Sequence, residues 1–315
     1  MYHEKIASRS ESITLDGYPC HVRIWDDADA RAGAPRTPVL LLHGWMDVGA
    51  SWQFLVDAWA QQQPALLQHY RLIAPDWRGF GQSLPDAPWQ AAPRSYFFPD
   101  YLADLDCLLN HYAPSTAHLI GHSMGANIAL MYAGVRPQRV RCLVALEGFG
   151  LPATQPSQAP TRYAQWLDEL AQQREGASLV KPYASLEAVA QRLMRNNPRL
   201  PLPKALWLAQ HWAAPDAQGQ WHIRAHAAHR IVNPQLYRVE EVLHLYRQIT
   251  APVLAVEASD DSLGLFWKGQ LTLAEYHQRL TAIPQCQTAL ITDAGHMLHH
   301  DQPEQLVHWL EGFLR

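Results

Sequence analysis

The segment His118-Leu119-Ile120-Gly121-His122-Ser123-Met124-Gly125-Ala126-Asn127 carries G-x-S-x-G between two runs of different character. Ala117 to Ile120 is a short apolar run of the kind a buried strand makes. Ala126 to Tyr132 is helix-compatible. Strand, sharp turn, helix is the setting of a nucleophile elbow. The turn holds a serine at its apex, with its hydroxyl clear of the sheet at the carboxyl end of a strand. Gly121 and Gly125 leave room for the strand and the helix to approach. Five residues alone could be an ordinary Gly/Ser turn, so agreement elsewhere in the chain decides.

That agreement comes from three further motifs. Pro38-Val39-Leu40-Leu41-Leu42-His43-Gly44-Trp45 reads as a buried strand ending in H-G. Asp76-Trp77-Arg78-Gly79-Phe80-Gly81-Gln82-Ser83 reads D-x-R-G-x-G-x-S. Asp293-Ala294-Gly295-His296 follows a late apolar strand. With these four motifs in this order and rough spacing, the chain resembles the α/β-hydrolase superfamily over nearly its whole length, apart from a variable middle. The G-H-S-M-G elbow and the segment Glu147-Gly148-Phe149-Gly150 also resemble the serine-hydrolase-like proteins.

The resemblance implies an α/β fold: a doubly wound, mostly parallel eight-stranded sheet with a helical cap inserted after the sixth strand. The residues support that layout independently. Asp16-Gly17 is a hairpin signal between strands near Ser12–Leu15 and Tyr18–Trp25. Asp27 to Pro38 reads as a polar surface loop. Val39–Leu42 lacks polar alternation, as a strand covered on both faces does. Ser51 is placed to cap a helix running to about Gln62. Further strands fall at Tyr70–Pro75, Ala117–Ile120 and Val140–Leu146, with helices at Asp100–Tyr112 and Ala126–Val135. From Gly148 to about Leu245 no parallel-strand run appears, only helix-like stretches. Strands return at Val253–Val256 and Gln287–Thr292, and a helix near Pro303–Leu314 closes the chain. The expected division is a core over 1–148 and 246–315 and a cap over 149–245.

Composition narrows the function classes. The chain has 315 residues, 48% apolar and 17% charged, with a formal net charge of −4 and no basic block. That disfavours nucleic acid as a partner. No segment approaches the length of a membrane span, and the N-terminus lacks a signal-peptide pattern, so a cytoplasmic location is expected. The four cysteines are scattered, and Cys107 and Cys142 read as buried thiols. Nothing in the sequence indicates an oligomeric state.

Acyl transfer by serine needs a nucleophile, a base, an acid that orients the base, and oxyanion donors. Ser123 is the expected nucleophile. His296 is the expected base, chosen among 17 histidines because it follows the last strand in a loop at the elbow's edge of the sheet. His299 and His300 lie further towards the next helix. Three carboxylates compete as the acid. Asp261, after Val253-Leu254-Ala255-Val256-Glu257-Ala258, occupies the position the resemblance implies, with Ala258 where the family usually has glycine. Asp260 would serve if that turn were one residue shorter. Glu147, after the sixth strand, is the position that haloalkane dehalogenases, among others, use. Backbone N–H groups of Trp45 and Met124 are the expected oxyanion donors.

Other polar groups have structural readings. Asp76 and Arg78 read as a turn tied to neighbouring backbone or carboxylates. His222, His226 and His229, spaced i, i+4, i+7, read as a polar helix face, because no acidic partner is interleaved as a metal site needs. No metal motif and no nucleotide-binding pattern stands out, so neither metal nor cofactor is expected. Trp166, Trp207, Trp212 and Trp221, with Tyr163, Tyr183 and Tyr237, either hold the cap together or line a pocket for a small apolar organic substrate.

The expected function is a carboxylesterase-like serine hydrolase working through an acyl-enzyme with a Ser-His-Asp triad. Haloalkane dehalogenases and epoxide hydrolases use aspartate as nucleophile, and Ser123 argues against both. A carbon–carbon bond hydrolase or a cofactor-free perhydrolase on the same triad stays open. So does a small-molecule binding protein that has lost turnover.

Overall fold

The structure is a computed structural model and describes residues 2–26, 36–84, 95–175 and 181–314. Residues 27–35 of the expected surface loop lie outside the described residues.

The chain opens with a hairpin. β1 (Arg9–Leu15) and β2 (Tyr18–Trp25) are antiparallel, with Leu15 opposite Tyr18. Asp16 and Gly17 between them have φ of 47° and 84°. Positive φ at both central residues defines a type I′ turn, whose twist matches that of the strands, and Asp-Gly adopts it at little cost.

The remaining strands are β3 (Thr37–Leu42), β4 (Tyr70–Pro75), β5 (Ala117–His122), β6 (Val140–Leu146), β7 (Ala213–Pro215), β8 (Trp221–Ile223), β9 (Val253–Ala258) and β10 (Cys286–Ile291). Eight of the ten strands form one sheet in the order β1-β2-β4-β3-β5-β6-β9-β10. β2 runs antiparallel to β1 and β4, and every other pair is parallel. This is the sheet expected from the sequence. The helices are α1 (Gln53–Gln62), α2 (Pro64–Leu67), α3 (Phe98–Tyr112), α4 (Met124–Val135), α5 (Ala159–Arg174), α6 (Leu186–Asn196), α7 (Leu202–Trp212), α8 (Val239–Arg247), α9 (Ser262–Trp267), α10 (Leu273–Leu280), α11 (Leu298–Asp301) and α12 (Pro303–Phe313).

Both faces of the sheet are covered, which explains the unbroken apolar runs. In β3, Val39 and Leu41 pack with Leu55, Val56 and Trp59 of α1 and Leu306 and Leu310 of α12. Leu40 and Leu42 point the other way, into a cluster with Leu105 and Leu108 of α3, Ile128 and Leu130 of α4 and Tyr246 of α8. Each such side chain, taken fully out of water, contributes roughly 1.5–3 kcal/mol. Ser51 does not cap α1 as expected. It lies inside a 3₁₀ turn, Gly49–Trp52, and its hydroxyl donates to Asp47 Oδ1 at 2.7 Å.

Between β6 and β9 the chain leaves the sheet for α5, α6, α7, a small β7–β8 ribbon and α8. α6 and α7 close a separate apolar cluster with Val48, Ala50 and Phe54 of the core. α8, inside the expected cap range, instead packs on the core helix α4. The approach is so close that a Cβ on Gly134 would collide with the Leu245 carbonyl. Among the described residues no helix is long and apolar enough to cross a membrane. Cys142 is buried, Cys107 is only half-buried, and all four cysteines are free thiols.

Candidate functional site

Ser123 sits between β5 and α4 with φ 52° and ψ −116°, a strained conformation for a residue with a Cβ. Both flanks hold it there. Its N–H donates to the Leu146 carbonyl at 2.8 Å, and its carbonyl accepts from Asn127 N at 3.1 Å. The two elbow glycines make the turn possible. A Cβ on Gly121 would lie within 3 Å of Gly125 O and Ala126 backbone, and one on Gly125 would overlap the Leu42 carbonyl. The neighbours here are backbone of β3 and α4, which cannot rotate away. Gly125→Ala is therefore expected to lower stability by about 1–3 kcal/mol, read as a lower urea midpoint. An unchanged midpoint would show that β3 and α4 have slack.

The loop after β3 meets the elbow. A Cβ on Gly44 would lie 3.2 Å from Ser123 Cβ. The next peptide bond, that of Trp45, is thus beside the serine, as is that of Met124. Among the described residues neither N–H has a protein acceptor, whereas Ser123 N–H is committed to the sheet. His43 takes no part in this. Its Nε2 accepts from Trp77 N at 2.9 Å, so the ring proton is on Nδ1, which donates to Gly44 O at 2.8 Å. Burial holds the ring neutral, its pKa lowered.

His296 meets the residue that precedes Ser123. Its carbonyl accepts from Nε2 of His122, the residue before Ser123, at 2.7 Å, and the two rings stand 4.7 Å apart. His296 Nδ1 faces Glu147 Oε2 at 3.3 Å. The Glu147 side chain is fully buried, and its other oxygen accepts from Ala258 N at 2.8 Å. Its backbone has φ 53°, and its N–H is tied to Val256 O at 2.9 Å. The carboxylate thus bridges the ends of β6 and β9 towards His296.

The expectation of Asp261 as the partner of His296 is corrected by this geometry. Asp261 is exposed at the N-terminus of α9, and its Oδ1 accepts from Gly264 N at 2.7 Å. It turns back to cap its own helix because a short helix with free N–H groups begins there. Asp260 is also turned away, paired with Arg199 at 2.7 Å. Of the three carboxylates weighed in the sequence, only Glu147 meets His296.

Asp76 and Arg78 are structural, as expected. Buried Asp76 accepts from Gly49 N (2.7 Å), Gln82 N (2.9 Å) and His21 Nδ1 (2.9 Å), and Arg78 pairs with Asp104. His222, His226 and His229 do not share a helix face. His222 is in β8 and pairs with Asp216. His226 and His229 flank and occupy a 3₁₀ turn, with His229 stacked between Phe80 and Tyr96 at 3.8 Å from each ring. The aromatics of the insertion mostly build it. Trp207 packs on Tyr2 and Phe54, Trp212 donates to Asp47 Oδ1 at 3.0 Å, Trp166 donates to Ser95, and Trp221 pairs with Tyr183. The exposed apolar groups near the site come from the core instead. Trp45 is 52% exposed, and Phe266 of α9 is 56% exposed with its ring edge-on to His296 at 4.9 Å. No sequence motif marks Phe266. The only signal for it is the apolar run Leu263–Trp267 after the acidic pair.

The site stands on a bed of buried neutral histidines. Burial pushes His122 and His299 far below the ordinary imidazole range and lowers His300 as well. Elsewhere, burial lowers His118 and His211 to about 4. The unfolded chain binds protons near pH 6.5 that the folded chain refuses, so stability falls as pH drops from about 6.5 towards 4. The urea midpoint is expected to be clearly lower at pH 5 than at pH 7. Equal midpoints would show that these rings are charged inside the fold.

The comparisons with known proteins agree with the fold. The chain belongs to the α/β-hydrolase fold family, whose model matches residues 37–303. It is 27% identical to a serine hydrolase-like protein of Danio rerio over 299 residues, covering 93% of this chain and 84% of that one. It is 25% identical to a serine hydrolase-like protein of Dictyostelium discoideum, covering 81% and 68%. Among solved structures it is similar to the thioesterase domain from the curacin biosynthetic pathway, with TM-score 0.77, 23% identity and 97% and 99% of the two chains covered.

Proposed function

We propose that the protein is a cofactor-independent serine hydrolase of carboxylic esters, with Ser123 as nucleophile, His296 as base and Glu147 as the orienting acid. The observation that carries this is Glu147 on the Nδ1 of His296, in a loop whose backbone is held by His122, the residue before Ser123. Glu147 holds the proton on Nδ1, which leaves the Nε2 lone pair free to take the Ser123 proton. Ser123 Oγ attacks the carbonyl carbon, and the Trp45 and Met124 N–H groups receive the developing oxyanion. His296 passes its proton to the leaving alcohol. Water, deprotonated by the same ring, then attacks the acyl-enzyme and releases the acid, and Ser123 recovers its proton.

The substrate class we propose is a small apolar organic ester. Trp45 and Phe266 offer apolar surface beside the reacting groups, and the insertion between β6 and β9 serves as the cap. A thioester is the second class to assay, since one structural neighbour is a thioesterase domain.

A chain-length series of p-nitrophenyl esters, read as kcat/KM, tests the reading together with fluorophosphonate labelling. Expected are one label per chain at Ser123 and a clear optimum of acyl length. Folded protein that takes no label and hydrolyses none of the series would favour a binding protein instead.

A further inference from the structure

Behind the elbow three buried groups face one another. Asp47, His122 and His299 each offer a ligand atom, and these atoms lie within 4.8 Å of one another. All three residues are at most 5% exposed. Asp47 Oδ2, His122 Nδ1 and both ring nitrogens of His299 have no hydrogen-bond partner.

The tautomers sharpen this. His122 Nε2 meets a carbonyl oxygen, that of His296, so Nε2 carries the proton and Nδ1 presents a lone pair. Asp47 Oδ2 is also a lone-pair donor, since Oδ1 already receives Ser51 Oγ and Trp212 Nε1. No cation pairs with the Asp47 carboxylate among the described residues. Two lone pairs and a buried negative charge therefore converge where no proton donor reaches them, and leaving such groups unmet is costly. A neutral His299 ring adds a third lone pair, from whichever nitrogen is unprotonated.

We propose that Asp47, His122 and His299 bind a divalent cation of the zinc class through one carboxylate oxygen and two imidazole nitrogens. Two neutral imidazoles and one carboxylate are a donor set that borderline cations favour over calcium or magnesium, and three protein ligands leave a fourth position for water. Bonds of about 2.0–2.2 Å require the ligand atoms to draw closer together than 4.8 Å on binding. The site ties three parts of the molecule together. Asp47 holds Trp212 of the insertion, His122 precedes Ser123, and His122 also holds the backbone of His296. A bound cation would thus fix the loop that carries His296 without touching substrate.

The test is binding, not turnover, so it stands apart from the hydrolase reading. The full chain is stripped with a chelator, equilibrated with Zn2+ and measured by calorimetry and metal analysis, with Co2+ as a spectroscopic probe. Expected are one tightly held equivalent per chain and Co2+ visible bands of low coordination number. His299→Phe keeps a ring against Trp52 and removes both nitrogens, and it is expected to lose that equivalent and those bands. Asp47→Asn, in which Oδ1 still receives Ser51 and Trp212, gives the same readout if His299→Phe fails to fold. Wild-type protein that holds no equivalent would overturn the proposal and assign the space to a buried water. Folded His299→Phe or Asp47→Asn that holds the equivalent as tightly as wild type would overturn it too, and would place the metal elsewhere, such as His222 with Asp216.

Discussion

Ser123→Ala is expected to lower kcat for a p-nitrophenyl ester by on the order of 10⁶, about 8 kcal/mol in the barrier, while leaving the fold intact. The size follows from the division of labour. Without the hydroxyl there is no acyl-enzyme, and His296 and Glu147 then have no proton to move. What remains is binding and the two N–H groups beside the elbow. The fold should survive because nothing structural depends on Oγ. The serine's backbone carries its bonds to Leu146 and Asn127, and its side chain does not cap α4. Alanine meets the same strain at φ 52° that serine already bears, since both have a Cβ. A variant that unfolds at the same urea concentration as wild type, takes no fluorophosphonate and has lost turnover is the expected result. Hydrolysis within tenfold of wild type would remove Ser123 from the mechanism.

The parts of this protein legible in its sequence are those governed by local chemistry. Asp16-Gly17 specifies its turn because both φ values must be positive. The apolar run of β3 specifies a doubly covered strand because both of its faces meet helices. The elbow is legible because Gly121 is demanded by backbone contacts within a few residues, and Gly125 by the close approach of β3. What failed depends on direction in space. Glu147 and Asp261 follow β6 and β9, which are hydrogen-bonded neighbours, so both lie at the same sheet edge. Chain order cannot separate them. The choice rests on whether a side chain turns in, as Glu147 does at φ 53°, or back onto its own helix, as Asp261 does. The histidines at 222, 226 and 229 failed for a different reason. Their spacing is helical, but the chain makes a three-residue strand and a 3₁₀ turn there, elements too short to show a period. The buried trio Asp47, His122 and His299 joins a loop residue, the last residue of β5 and a residue of α11, and has no spacing at all to detect.

Glu147→Gln is expected to lower kcat by on the order of 10³–10⁴, and Asp261→Asn to leave it within a fewfold. The amide keeps the size of the side chain, and its oxygen can still accept from Ala258 N–H. Its NH₂ then faces His296 Nδ1 in place of Oε2. A donor opposite Nδ1 favours the tautomer with the proton on Nε2, and that nitrogen then points a hydrogen, not a lone pair, at Ser123. The amide also removes the charge that stabilises the imidazolium as the serine proton arrives. Asp261→Asn, by contrast, changes one good helix cap for another at an exposed position. Glu147→Asp separates charge from reach. It keeps the carboxylate but shortens it by one methylene, and the contact to His296 is already 3.3 Å. Its activity should therefore fall between wild type and Glu147→Gln. The measurement is steady-state hydrolysis of one ester by all three variants, with urea midpoints to show that each is folded. If Asp261→Asn is the most damaging of the three, the acid lies after β9, and the contact between Glu147 and His296 only supports the loop.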